Sequence, residues 1–323
     1  MAQQLSTDFK GVRNIGDTLF MNMLEVNLKT WMDWAFLRIG AWNDATIPSP
    51  GAFGGDYTNL RAVQDPSYTN GQVWEAARKD WVWEDSVDYE NPDTLTIYNP
   101  INPVTNILVN GGAAPAHHIN YPLGRIIFDT ALSTTATVAA EYSYRFVQVY
   151  IASQAPWWQE LQYRSFRVDS GYFTQTDDGD WAVGGQHRIQ MPCIIIEAVP
   201  RCRSRGFQLG DGSSWVEQDI LCHIIAENRS DRNNLTDVML RQFDQTIWLF
   251  DVDAVAFAGD APLDVRGEIV DNTKTYVALV DKDTGYRWER CRFMRTECAE
   301  VATLNPHLYE SVVRLTCESV LDD

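Results

Sequence analysis

Several signatures are missing from this 323-residue chain. None of its six cysteines forms a CxxC pair, and all lie in the second half, at 193, 202, 222, 291, 298 and 317. Zinc ribbons and dithiol redox sites need that close spacing, so neither is expected. Cys193, Cys222 and Cys317 fall inside apolar strand-like runs, and the six read as buried, reduced thiols. No apolar run approaches ~18 residues, so no membrane span is expected. No early segment has the basic flank and cleavage site of a signal peptide. Without a secretion route, the sequons at Asn228 and Asn234 mean little. Basic residues are scarce as well: 26 Lys and Arg stand against 44 Asp and Glu, a formal net charge of −18. A protein that grips nucleic acid through phosphates needs a basic face, so no specific nucleic-acid binding is expected. Like charge is compatible with a passage that nucleic acid merely traverses.

The residue types of catalysis are present, but not in working patterns. The run GDGSS at 210–214 lacks the lysine of a P-loop and reads as a turn. Asp177, Asp178 and Asp180 lack the further spaced ligands of a calcium loop and read as a solvated hairpin turn. Asp251 and Asp253, two apart after a strand, could hold a cation only with a third ligand nearby, and none is evident. His117 and His118 are adjacent, so on a strand they point to opposite faces and do not share a metal. His223 lies in an apolar run and reads as a satisfied core histidine. No GxSxG elbow exists. The sequence assigns no catalytic, cofactor-binding or metal-binding residue, and the chain is not expected to be an enzyme.

What is abundant is material for a core. The chain is 45% hydrophobic and holds 12 tryptophans, each able to bury a large area. Phe20, Leu24, Leu28, Trp31 and Ala35 recur at helical spacing, with Asp17 as a cap and Gly40 as a stop. Residues 1–12 read as an arm that orders on a partner. Residues 46–71 read as a long loop, followed by an anchor in which Trp81 and Trp83 alternate as on a strand. Short strands are expected at 94–100, 106–112, in GRIIFDT and across ATVAAEYSYRFVQVYIA. The last two would form a hairpin turned at Ser133–Thr135, within a small antiparallel sandwich-like insertion.

Pro156 suits the first turn of a helix carrying Trp157 and Trp158, and a new rhythm begins there. Strands are expected at 188–200 (interrupted by Pro192), at 216–228, in IWLFDVDAV, in TYVALVD, in RWERCRFMRTECAEV and in LYESVVRLTCESV. A helix capped by Ser230 would carry Leu235, Val238, Met239 and Phe243 on one side. The fold class is therefore α+β, in three segments. Residues 1–45 are arm and helix, 46–155 are long loop and β-rich module, and 156–323 are a mixed α/β sheet domain.

On these residues a resemblance rests. The stretch YPLGRIIFDTALSTTATVAAEYSYR looks like the β-modules of tailed-bacteriophage virion proteins. The order of DILCHIIAENRSDRNNLTDVMLRQFDQTIWLFD, closed by LYESVVRLTCESV, resembles head–tail neck and tail-terminator proteins. The resemblance implies a tail-terminator type of sheet domain and a homo-oligomeric ring, expected to be a hexamer, at the neck or tail end. Other phage neck and tail proteins would be its partners, DNA would pass through it, and it would reside in the virion after assembly in the host cytoplasm. Collar, baseplate and capsid decoration proteins are alternative stations. A different alternative is a receptor-binding or carbohydrate-active virion protein, whose Trp42, Trp74, Trp81 and Trp83 would form an open aromatic platform beside acids.

Overall fold

A computed structural model describes residues 20–46, 57–84, 107–163, 173–175, 181–183, 187–207, 213–283, 285–305 and 307–321. The arm, Asp17, the expected strand at 94–100 and Asp177, Asp178 and Asp180 lie outside the described residues. Among those described, no helix is long and apolar enough to cross a membrane. The mixture of helices and sheets is α+β, with a helix first.

Helix α1 (Phe20–Arg38) buries Met23, Leu24, Leu28, Trp31, Met32, Phe36 and Leu37, so it is covered on more than one side. Gly40 ends it at φ 82°, and the Ala41 amide reaches back to the Phe36 carbonyl. Strand β1 (Trp42–Ala45) follows. Then come β2 (Asn59–Ala62), β3 (Val73–Glu75), β4 (Ile107–Val109), β5 (Gly112–Ala113), β6 (His117–Asn120), β7 (Arg125–Phe128) and β8 (Val138–Ala140). These seven form one sheet in the order β5-β4-β8-β2-β3-β7-β6. Strand β9 (Tyr142–Arg145) pairs with β1, and all four of its side chains are buried.

The expected hairpin between GRIIFDT and the run after it does not form. β7 pairs with β3 and β6, whereas β8 pairs with β2 and β4. Alternation fixes which face a strand buries, not which strand lies beside it. The following run is not one strand either. It divides into β8, β9 and β10 (Gln148–Ile151), which belong to three different sheets. Trp81 makes a single bridge to Tyr144 rather than lying in a strand.

β10 enters the second large sheet. The chain first makes a 3-10 turn and helix α2 (Pro156–Tyr163), then a small sheet of β11 (Phe173–Gln175), β12 (Trp181–Val183) and β13 (His187–Ile189). Next come β14 (Cys193–Gly206), β15 (Ser214–Ala226), α3 (Arg229–Leu240), β16 (Thr246–Phe250), α4 (Val252–Ala258), α5 (Tyr276–Leu279), β17 (Arg287–Asn305) and β18 (Leu308–Leu321). The sheet order is β10-β14-β15-β18-β17-β16, antiparallel except for β10 beside β14.

One face of this sheet carries Ile194, Ile196, Ile220, Cys222, Ile224, Val313, Leu315 and Cys317, packed with α1, α3, α4 and α5 in one core. The other face carries Cys193, Ile195 and Ile225 against Trp157 and Trp158 of α2 and Trp181 of β12. The end of β15 lies between the two cores, so residues 222–226 are all buried. The first helix and β10 thus join the sheet built by the second half of the chain. TYVALVD is a single helical turn, not a strand: Tyr276 and Leu279, three apart, are buried while Val277 is exposed. IWLFDVDAV splits into β16 and α4. Asn228 rather than Ser230 caps α3, its side chain accepting from the Asp231 amide at 2.7 Å.

Candidate functional site

Buried charge is the first place to look for a site. His223 on β15 stands directly across from Ile195 of β14 and Val312 of β18. Glu197 and Glu310 lie two residues along those strands, so all three side chains share one face. His223 Nε2 is 3.1 Å from Glu197 Oε2, and Nδ1 is 3.3 Å from Glu310 Oε1. The ring packs on Trp158, centroids 4.6 Å apart. Burial alone would push the imidazole pKa down; the hydrogen bonds to Glu197 and Glu310 outweigh it and raise it above its usual value. A carboxylate thus faces each ring nitrogen, an arrangement that favours the protonated imidazole, which can donate to both. Cys193 lies on the same face, and burial pushes its thiol up, away from the reactive thiolate.

A second cluster lies where the β-module meets the large sheet. Arg145, 3% exposed, donates from Nη1 to Asp80 Oδ1 at 3.1 Å and from Nη2 to Glu84. Its amide donates to the Asp80 carbonyl, and Asp80 itself has φ 54°. Burial opposes the charge on Arg145, but Glu84 and Asp80 outweigh it and hold the guanidinium ionised. Burial pushes the Glu84 and Asp80 carboxyls up against the pull of Arg145. Near this cluster, Tyr142 stacks on Trp81 at 4.4 Å and donates to the Tyr57 carbonyl at 2.6 Å.

A third cluster surrounds Glu75 of β3. It accepts from Arg125 of β7 at 2.7 Å and lies 3.5 Å from both Lys79 and Arg188 of β13. Each cluster is an internal strut joining elements distant in sequence.

The residues singled out in the sequence fall as follows. Asp251 is the N-cap of α4, its carboxylate accepting from the Ala254 amide at 2.9 Å, and Asp253 lies in the first turn. The two are therefore helix-start residues, not a strand edge. His118 lies 3.1 Å from Glu268 and 3.4 Å from Asp129, whereas His117 meets the Phe128 ring edge-on. Among the described residues, no three His, Cys, Asp or Glu side chains are grouped to hold a metal.

Cys193, Cys222, Cys291 and Cys317 are buried, but Cys202 and Cys298 are exposed, which corrects the expectation that all six lie inside. They sit where β14 and β17 run past the packed core. Trp42, Trp74 and Trp81 are buried, and Trp83 packs partly buried on the β-module core. A shallow groove of about 510 Å³ lies beside β2, between Arg61, Gln64 and Thr134. The clusters around Arg145 and Glu75 were not anticipated. An arginine inside an aromatic strand run such as YSYRF was their one visible signal. No protein-family model matches the chain, and no curated protein matches it in sequence.

Proposed function

We propose that this chain is a structural virion protein of a tailed phage. It is a ring subunit at the neck or tail end, with a sheet domain of tail-terminator type, that joins head to tail and lets DNA pass. Its work is binding geometry rather than chemistry. The observation that carries this reading is the apolar surface on the excursion that leaves β16. Phe257 and Val265 are 96% and 103% exposed, and Val270 and Val277 are about half exposed. Four such side chains within one stretch, on a chain of net charge −18, are what a protein partner would cover. The burial of Trp42, Trp74 and Trp81 favours this reading over an open sugar platform. So does the use of buried acids as struts to Arg145, Arg125 and His223.

Negative-stain microscopy of the purified protein, together with antibody labelling of phage particles, tests the proposal. Rings in the first and label at the neck or tail end in the second are expected. Label at a collar, baseplate or head surface would move the station. A protein that stays monomeric at high concentration and labels no particle would end the reading.

A further inference from the structure

Two arginines at the start of β17 share one indole. Arg290 stands directly across from Trp248 of β16, and Arg287 across from Phe250. Between these pairs the register shifts, because β17 spends three positions where β16 spends two. The shift brings both arginines to the same ring. The Arg287 guanidinium carbon lies over the Trp248 ring, 3.2 Å from its centre, and that of Arg290 lies 4.3 Å from it. Ile247 and Leu249 point into the helix-covered core, so Trp248 between them projects from the opposite face of the sheet. On that face Trp157, Trp158 and Trp181 cover the end of the sheet near Cys193 and Ile225, not this one. Arg290 is exposed, and Trp248 and Arg287 are half-buried.

The charges of this pair are not offset. In a chain of 44 acids and 26 bases, a surface arginine readily meets a carboxylate. On the same sheet Arg292 is 2.5 Å from Asp244, Arg295 is 2.7 Å from Glu297, and Arg314 is 3.1 Å from Glu297. Among the described residues, neither Arg287 nor Arg290 pairs with a carboxylate. The Nε of Arg287 is buried without a hydrogen-bond partner. Two like charges held against one ring repel each other. The indole face offsets part of that cost, and an anion between the guanidiniums would remove the rest.

We propose that Arg287, Arg290 and Trp248 form a binding site for a phosphate group, as inorganic phosphate or as the phosphoryl end of a small ligand. The proposal does not depend on the assembly reading above. A guanidinium over an indole keeps its in-plane N–H groups available, and that fork matches phosphate oxygens two at a time. A carboxylate would neutralise only one of the two cations. A phosphate monoester carries about 1.5 to 2 negative charges at neutral pH and meets both. The remainder of a chain of net charge −18 repels a long polyanion, so a compact anion is favoured over duplex DNA.

Titration calorimetry on the full chain at fixed ionic strength tests this, with inorganic phosphate and a nucleoside monophosphate as probes. Arg290→Gln is expected to weaken binding by about tenfold or more, the worth of a charge-assisted hydrogen bond. Arg287→Gln/Arg290→Gln is expected to abolish it. Arg203→Gln, at an exposed position on β14, is expected to leave it unchanged. Equal affinity for the two probes would identify inorganic phosphate as the ligand, and tighter binding of the monophosphate would identify a carried phosphoryl group.

Chemical modification of the natural chain by phenylglyoxal, read by mass spectrometry, gives a result free of variants. Phosphate should slow the reaction at Arg287 and Arg290 but not at Arg203. No heat and no shielding, or binding that persists in Arg287→Gln/Arg290→Gln, overturns the site. Phosphate binding that appears only when residues 322–323, both aspartates, are removed would make the chain's own acids the occupant and overturn it as well. So would duplex DNA held through Arg287 and Arg290 by a chain that ignores both probes.

Discussion

Replacing Arg145 by methionine tests whether the buried charge cluster is a structural strut. The guanidinium is 3% exposed and Glu84 is 4% exposed, so neither charge is relieved by water. Removing one partner of such a buried pair costs about 3–5 kcal/mol, because the other charge is left uncompensated. At about 2 cal/mol/K per residue, 323 residues give an unfolding entropy near 0.7 kcal/mol/K. The melting temperature should then fall by roughly 4–7 °C if the chain unfolds as one unit.

The loss should depend on pH, with a definite sign. Burial already raises the Glu84 and Asp80 carboxyls, and without Arg145 they rise further. A carboxyl whose folded pKa lies above its unfolded value, about 4.3 for Glu, loses its contribution as pH climbs through the folded value. Arg145→Met should therefore be penalised more at pH 8 than at pH 5. Adding Glu84→Gln should recover part of the loss. Thermal unfolding followed by circular dichroism at the two pH values is sufficient. A penalty below about 1 kcal/mol, or one equal at both pH values, would show that water reaches the cluster and that the strut argument is wrong.

The remaining expectations are briefer. His223→Gln should flatten a pH dependence of the natural chain: the imidazole contributes stability below its unfolded value near 6.5 that is lost as pH rises through its raised folded value. Trp158, packed on that ring, makes tryptophan fluorescence the readout. Gly71→Ala should cost more than about 1 kcal/mol, since φ is +91° and a Cβ would lie 2.1 Å from the Leu132 carbonyl oxygen; urea unfolding measures it. Tyr142→Asp should cost roughly 3–5 kcal/mol by placing a charge against Trp81, and limited proteolysis will show whether the β-module opens alone or with the large sheet. Neither chelator nor reductant should move the melting temperature, and a marked fall with either would reveal a metal site or disulfide.

What could be read from the sequence was local. The helix from Phe20 showed its spacing, Pro156 marked a helix start, and the runs that form β15, β17 and β18 read as strands. The turn at Tyr276–Leu279 was misread because four residues give too little period to separate helix from strand. Pairing was not legible. The Trp74–Ile126 and Ile119–Ile126 neighbours that hold β7 depend on which strands meet, which alternation leaves open. His223 was legible as a core residue, but its partners Glu197 and Glu310 lie 26 and 87 positions away. Arg145 meets Asp80 and Glu84 across 65 and 61 positions. Long-range charge pairs leave no spacing in a single sequence.

The placement of those pairs also bears on the surface. Arg145, Arg125, Arg188, Lys79 and Lys29 face carboxylates of the same chain. Each such cation cancels an acid inside and leaves fewer cations to offset the acids outside. A chain with 26 basic residues against 44 acidic ones is therefore left with an excess of acids that its internal pairs do not offset. Arg205 of β14 is spent in the same way, 4.0 Å from Glu217 and over the Trp215 ring. Two copies of a chain with net charge −18 repel one another at low salt, so the assembly proposed above should form faster as salt rises and screens that repulsion. Light scattering against salt concentration measures it, and assembly that slows as salt rises would show that opposite charges meet across the contact.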